Sequence, residues 1–302
     1  MTRPVVSFPH MGNYAHVLAP LAELIDADVL IAPPITRRTL EIGARHSPEF
    51  ACIPFKYNLG NFVEALDAGA DVLIQAGGGC RFGYYGEVQE AILRDLGYDC
   101  GFIQLSSDLK VTSIARFLRR YNAKITKTRV DHAINLTWDK IRLLDEIEDG
   151  VRKRVGFEVE EGAHDRFMEW FLVEVSKAPE REDVARLKEE ARAALEAIPI
   201  DRPDNPLRIG VVGEVYVLME PFSNMNVERY VAKRGVEVHR FCNVSAVLDH
   251  AIEGRKNIEK MLAVTDPYLK NHIGADGTES VYLTMRLMQE GFDGVLHLKP
   301  FG

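Results

Sequence analysis

Asp71-Val72-Leu73-Ile74-Gln75-Ala76-Gly77-Gly78-Gly79-Cys80-Arg81-Phe82-Gly83-Tyr84-Tyr85-Gly86-Glu87 passes from an apolar run, through five glycines in ten residues, into a helical pattern. Val88, Ile92 and Leu96 continue at helical spacing, and Gly97 stands where that helix has to stop. Strand, glycine loop and helix in this order form the repeating unit of a parallel sheet. Working outward, short apolar runs at residues 5–8, 28–32, 50–53 and 100–105 alternate with helical stretches. Residues 1–110 therefore read as an N-terminal α/β domain with Cys52 and Cys80 at strand ends. A loop such as 77–86 lies at the carboxyl edge of the sheet, ahead of a helix N-terminus, where backbone N–H groups and the helix dipole favour an anion. A phosphate or a thiolate-ligated cluster suits it, and a purely structural turn is the competing reading. Its spacing matches neither G-x-G-x-x-G nor G-x-x-x-x-G-K-[ST], which weakens a dinucleotide or Walker site.

Downstream the composition changes. In 111–200, 35 of 90 residues are charged, against 47 of the other 212, and the signs nearly cancel. Val184, Leu187, Ala191, Leu195 and Ile198 form one apolar stripe, as in a helix packed on one side. This stretch reads as a helical insert or linking layer. Asp201-Arg202-Pro203-Asp204-Asn205-Pro206 breaks any helix and marks a boundary. Residues 201–302 read as a second α/β domain, with strands at 208–218, 236–241 and 294–298 and helices at 224–233 and 278–289. The sequence reaches Gly302 directly after the last strand, so the expectation is a C-terminally incomplete domain. The expected fold is α/β, with two Rossmann-like (flavodoxin-like) parallel-sheet domains and a charged helical segment between them.

The 302 residues carry 37 basic and 45 acidic side chains, a net charge of −8, which argues against nucleic acid or anionic lipid as a partner. No apolar run approaches a membrane span and no signal peptide opens the chain, so a cytoplasmic location is expected. Cys52, Cys80, Cys100 and Cys242 show no short spacing pattern, so any cysteine chemistry has to be assembled by the fold. Cys52, in Cys52-Ile53-Pro54-Phe55-Lys56, reads either as a small buried residue or as a thiolate facing the same cleft as Cys80. Cys100 and Cys242 have no glycine loop beside them and read as structural. His10, just past the first strand, either points into that cleft or serves as a loop hydrogen-bonding residue. Asp276 and Thr278 are candidate helix caps.

Several segments together resemble the 2-hydroxyacyl-CoA dehydratase component D family, and especially its activase-associated, double-cubane-cluster relatives. They are Phe8-Pro9-His10-Met11-Gly12-Asn13, Cys52-Ile53-Pro54-Phe55-Lys56 with Leu59-Gly60-Asn61-Phe62, Gly79-Cys80-Arg81-Phe82-Gly83-Tyr84-Tyr85-Gly86-Glu87, Glu220-Pro221-Phe222-Ser223-Asn224 and Gly274-Ala275-Asp276-Gly277-Thr278-Glu279-Ser280. The resemblance implies an iron–sulfur protein, with a 4Fe-4S or double-cubane cluster held by cysteines in a cleft between two α/β domains. Cys52 and Cys80 match two of the family's metal ligands, and the third follows a Pro-Phe-Gly type motif that this sequence reaches at Gly302. Gly78, Gly79, Arg81, Lys56 and His10 would surround the cluster, the glycine N–H groups and the two cations compensating its charge. The loop at 77–80 is shorter than the Gly-Cys-Gly-Pro-Cys form of close relatives.

The implied partner is an ATP-hydrolysing activase that injects a low-potential electron, ATP acting only through that partner. The implied substrate is an acyl-CoA or another small molecule, with a homodimer or a heterodimer with a related subunit as the assembly. In the dehydratases the one-electron-reduced hydroxyacyl-CoA is a ketyl radical, which expels the hydroxyl group. A non-catalytic, cluster-free anion-binding or interaction protein is the alternative.

Overall fold

A computed structural model of the chain describes residues 3–76, 84–105, 111–253, 255–274 and 276–301. The protein is mixed α/β and divides into two compact units, residues 1–139 and 140–300.

The first unit runs β1 (Val5–Phe8), a 3-10 turn (Tyr14–Val17), α1 (Ala19–Glu23), β2 (Asp28–Ile31), α2 (Arg37–His46), α3 (Ile53–Asp67), β3 (Val72–Ala76), α4 (Tyr85–Asp95), β4 (Gly101–Leu105) and α5 (Val111–Leu118). The long α6 (Lys127–Arg154) follows, and the division between the units falls inside it. The strands form one parallel sheet in the order β2-β1-β3-β4. The chain leaves β1 to one side for β2 and then crosses to the other side for β3. That reversal places a crevice outside the carboxyl ends of β1 and β3.

Strand alternation sorts the side chains onto two faces. Val6, Phe8, Val72, Ile74 and Ile103 pack with Ala22 and Leu24, with Ala115 and Leu118 of α5, and with Val130 and Ala133 of α6. On the other face Leu73 packs with Phe55, Leu59 and Phe62 of α3 and with Tyr85 and Leu93 of α4. Gly97, at φ +90°, follows α4 and ends it as expected.

The run at 50–53 does not form the expected strand. Phe50 is 72% exposed, Cys52 is the N-cap of α3, and Pro54 sits in the first turn, where its missing N–H costs nothing. A four-residue apolar run cannot by itself separate a strand from the start of a buried helix. Here tertiary packing decides for helix, because α3 is buried almost all round.

Two glycines allow α2 and α3 to touch backbone to backbone. A Cβ at Gly43 would overlap the Lys56 carbonyl, and one at Gly60 would overlap the Thr39 carbonyl. Thr39 also donates its hydroxyl to Glu64 Oε2 at 2.6 Å across the pair. Gly60→Ala is expected to destabilise the protein by about 1–3 kcal/mol, because neither backbone can yield without parting the helices. Denaturant unfolding of the two proteins checks this.

The second unit continues from α6 through a 3-10 turn (Val155–Phe157), α7 (Ala163–Lys177), α8 (Arg181–Glu196), β5 (Leu207–Gly213), α9 (Val215–Met219), α10 (Val227–Ala232), β6 (Val236–Arg240), α11 (Val244–Glu253), α12 (Arg255–Thr265), α13 (Gly277–Gln289) and β7 (Gly294–Leu298). Its parallel sheet has the order β6-β5-β7. The charged segment is helical, and Val184, Leu187, Ala191 and Leu195 of its apolar stripe are buried.

The run at 208–218 is corrected as well: it is strand only to Gly213 and helix from Val215. Gly213, at φ +145°, lies so close to the Leu298 carbonyl that a side chain would collide with it. Glu214 then caps α9 by accepting from the Val217 N–H at 2.9 Å.

Four buried or nearly buried charges tie this unit together. Arg152 of α6 donates to Glu228 of α10 at 2.8 Å, and Arg240 of β6 donates to Glu148 of α6 at 3.1 Å. Arg240 also reaches Glu228 at 3.4 Å and the Leu218 carbonyl at 3.0 Å. Burial pushes the Glu228 carboxyl up, but the two guanidiniums outweigh it and hold it below its ordinary range. Among the described residues, no helix is long and apolar enough to cross a membrane.

Candidate functional site

The carboxyl edge of the first sheet carries the candidate site. α3 and α4 each begin at this edge and run back along the strands, as crossover helices do. Cys52, at the N-cap of α3, is 9% exposed, and its Sγ lies 2.6 Å from the Tyr85 hydroxyl at the start of α4. The Tyr85 ring meets the Phe55 ring edge-on, with centroids 5.0 Å apart, so packing fixes the hydroxyl where the thiol needs a partner. Cys52 makes no capping bond of its own, so its sulfur sits beside the N–H end of a helix. A helix N-terminus and a hydroxyl donor both favour a thiolate over a thiol.

Asn61, fully buried on α3, organises the neighbouring loops. Its Oδ1 accepts from the His10 N–H at 2.7 Å, and its Nδ2 donates to the Pro33 carbonyl at 2.8 Å. One amide thus clamps the chain leaving β1 to the chain leaving β2. This places His10 at the crevice and close enough to His16 to influence its protonation. Burial first, and then the nearby His10, lower the His16 pKa below its usual value. Lys56 stands in the first turn of α3 with its Nζ donating to the Glu49 carbonyl at 3.4 Å.

Gly78, Gly79, Cys80 and Arg81 lie outside the described residues, whose flanks are Ala76 at the end of β3 and Tyr84 just before α4. The site's helix-borne residues Asn61 and Tyr85 lie within segments quoted above for the resemblance, but nothing in the sequence singles them out for these roles. Buried helical positions on an apolar face were the only available signal.

The other described cysteines differ from Cys52. Cys100 stands before β4, at the opposite edge of the sheet, where burial and then the Glu90 carboxylate raise its pKa. Cys242, past the end of β6, is 1% exposed, and burial followed by the carboxylates of Glu279 and Asp276 pushes its thiol well up. Both environments hold the protonated thiol, which ligates metals poorly. Among the described residues no group of three or more His, Cys, Asp or Glu side chains is placed to hold a metal ion. Among the described cysteines, Cys52 is the one with a tyrosine hydroxyl and a helix N-terminus beside its sulfur.

The second sheet has a polar carboxyl edge too. Asp276, at the N-cap position of α13, makes no cap bond within its helix and instead accepts from the Val215 N–H at 3.3 Å. Thr278, fully buried, accepts from the Ile273 N–H at 3.1 Å and lies 3.0 Å from His272 Nδ1, so it ties down the preceding loop.

Burial is the main cause that raises the Glu214 pKa, with Asp276 adding to it against the lowering effect of the Val217 and Tyr216 N–H groups. A carboxyl raised in the folded state contributes stability below its unfolded pKa, and that contribution is lost as pH rises through the folded value. Glu214→Gln keeps the acceptor for Val217 without the charge. It is expected to stabilise the protein at neutral pH and to lose that advantage on acidification, as thermal melts across pH would record.

A cleft of about 410 Å³ lies against α6, the end of β6 and the start of α11. Its charges are largely matched within the fold: Arg142 pairs with Asp249 at 2.9 Å, Lys153 with Asp149 at 2.5 Å, and Asp145 accepts from the Ser245 N–H at 2.9 Å. No family model matches the chain, and no curated protein matches it.

Proposed function

We propose that this chain is the iron–sulfur component of a reductase or 2-hydroxyacyl-CoA dehydratase-like system, built on two Rossmann-like domains and supplied with low-potential electrons by an ATP-dependent activase. The observation that carries it is the Cys52–Tyr85 pair at the carboxyl edge of a switch-point sheet. There a thiol at the N-cap of α3 and a tyrosine hydroxyl at the start of α4 lie within hydrogen-bond reach. When bound, the cluster supplies one-electron reduction at a potential set by its hydrogen bonds and its burial.

The chain's own residues do the rest. Cys52 binds iron as the thiolate, releasing its proton to solvent. Cys80, in the segment that joins β3 to α4, is the second ligand. Tyr85 orients the Cys52 sulfur, and Asn61 holds the β1 loop that carries His10. Lys56 and Arg81 supply positive charge at the same edge. A homodimer or a heterodimer with a related subunit is the assembly, and a small molecule or an acyl-CoA is the substrate reduced.

Iron and acid-labile sulfide per chain, measured after anaerobic purification together with absorption and EPR spectra, test this reading. Near-equal iron and sulfide support it. A colourless, air-stable protein that takes up neither on reconstitution favours a cluster-free anion-binding protein instead.

A further inference from the structure

His239 and Arg240 of β6 and the next residue, Phe241, all line the cleft of about 410 Å³. Successive side chains of a strand point to opposite faces of its sheet. His239 and Phe241 accordingly share one face, where their rings stack with centroids 6.2 Å apart. Arg240 falls on the other, where it donates to Glu148 and to the Leu218 carbonyl. A cleft that touches all three runs along the edge of the strand and not over either face. β6 has a strand on one side only, since the sheet order is β6-β5-β7, so this is an outer edge of the sheet. Such an edge offers main-chain N–H and C=O groups to another chain. Val236, Glu237 and Val238, earlier in the strand, are buried, which confines the opening to its carboxyl end.

The opposite wall is α6. Arg142, Asp145, Glu146, Asp149 and Lys153 recur at the spacing of one helix face and line the cleft together. From Arg142 to Lys153 this wall is about 16 Å long. An extended chain covers that length in about five residues. A strand edge facing a helix across a groove is an arrangement in which an extended peptide adds to a sheet as a further strand. The lining carries three cations, Arg142, Lys153 and Arg240, against the three carboxylates of α6, so its formal charges balance. Main-chain pairing, and not net charge, is what the groove offers an occupant.

We infer that this groove takes an extended segment of a partner protein, which pairs through its main chain with the end of β6 as a fourth strand of the second sheet. A second copy of this chain does not fit. Its own β6 edge carries α6 alongside, and two such helices would meet before the strands could pair. The inference is independent of the iron–sulfur reading, which concerns the first sheet.

A phage-displayed library of random linear heptapeptides, panned against the purified full chain, supplies the probe, and an enriched peptide is then synthesised. Its binding is expected to saturate and to slow amide hydrogen exchange within residues 239–241 by about tenfold or more. Two further copies, N-methylated at alternate residues in one register or the other, separate main-chain from side-chain recognition, because only every second residue of a strand turns its N–H toward a given neighbour. One copy is expected to lose affinity at least about tenfold and the other to keep it. Arg142→Trp fills one end of the groove and is expected to weaken the peptide about tenfold or more while unfolding as cooperatively as the parent, since the pair with Asp249 that it removes is exposed.

A library that yields no saturating peptide overturns the proposal, as does a peptide that protects amides only outside residues 239–241 or one that tolerates both methylation registers equally. A dimer in sedimentation that the peptide dissociates also overturns it, since a second copy would then occupy the edge. If Arg142→Trp does not fold, the exchange and methylation results decide.

Discussion

Cys52→Ala and Cys80→Ala are each expected to lower the iron and sulfide retained per chain at least about tenfold while leaving a folded protein. The structural cost of Cys52→Ala is small, about 1 kcal/mol, because a single sulfur leaves the edge of a core that Phe55, Leu59 and Phe62 continue to fill. Loss of iron with retained cooperative unfolding is therefore a ligand effect and not a folding effect. Cys52→Ser sharpens the distinction, since it keeps the volume and replaces a soft ligand with a hard one; it should hold iron no better than alanine by more than a fewfold margin. Cys242→Ala serves as the control. Its thiol is buried away from solvent and held protonated, so its removal is expected to leave iron content unchanged. Equal iron in Cys52→Ala, Cys80→Ala and the parent would remove the ligand assignment. A marked loss in Cys242→Ala would move a ligand to the second sheet.

Glu228→Gln is expected to destabilise the protein by about 3–5 kcal/mol, the range for breaking a buried charge network by removing one partner. The carboxylate is shared by Arg152 and Arg240, whose side chains are only 8% and 6% exposed. Its loss leaves the two guanidiniums sharing Glu148, with the more exposed Asp149 at 3.5 Å from Arg152, and a neutral amide. For a unit of this size, a cost near 3 kcal/mol corresponds to a drop of roughly 6–12 °C in melting temperature.

The pH dependence carries an independent signature. Glu228 is held below its unfolded pKa in the folded state. Its contribution is therefore present above the unfolded carboxylate range and lost as pH falls through the folded value. Acidification should narrow the gap between the parent and Glu228→Gln. A variant within about 1 kcal/mol of the parent at neutral pH would show that the ion pairs are offset by their desolvation.

The alternation of apolar runs and helical patterns was enough to read a parallel α/β protein, because a strand buried on both faces leaves a continuous hydrophobic signature. β1, β3, β4, β6 and β7 stand where their runs predict, and Gly97 ends α4 because only a positive φ satisfies the last carbonyls of that helix there. The helical character of the charged segment was equally legible, since its stripe needs only local periodicity. Short apolar runs were not. Cys52-Ile53 reads as well in a strand as in a helix, and the packing of α3 against α2, through Gly43 and Gly60, settles it. The run beyond Gly213 is similar, where the close approach of β7 turns the chain and Glu214 starts a helix.

At the candidate site, residue chemistry was visible in Cys52, His10 and Lys56, as types suited to binding. Partnership was not. Tyr85 lies 33 residues from Cys52, and Asn61 lies 51 from His10; neither separation follows a local period that a sequence pattern can reveal. The sequence by itself determined the fold class, the apolar faces of the helices and the stock of reactive side chains, because these depend on local composition and spacing. Only the tertiary structure decided that Cys52 stands at the N-cap position of a helix and that a tyrosine from the next crossover meets its sulfur. Those are long-range contacts, fixed by the order β2-β1-β3-β4 and by helices that run back along their strands.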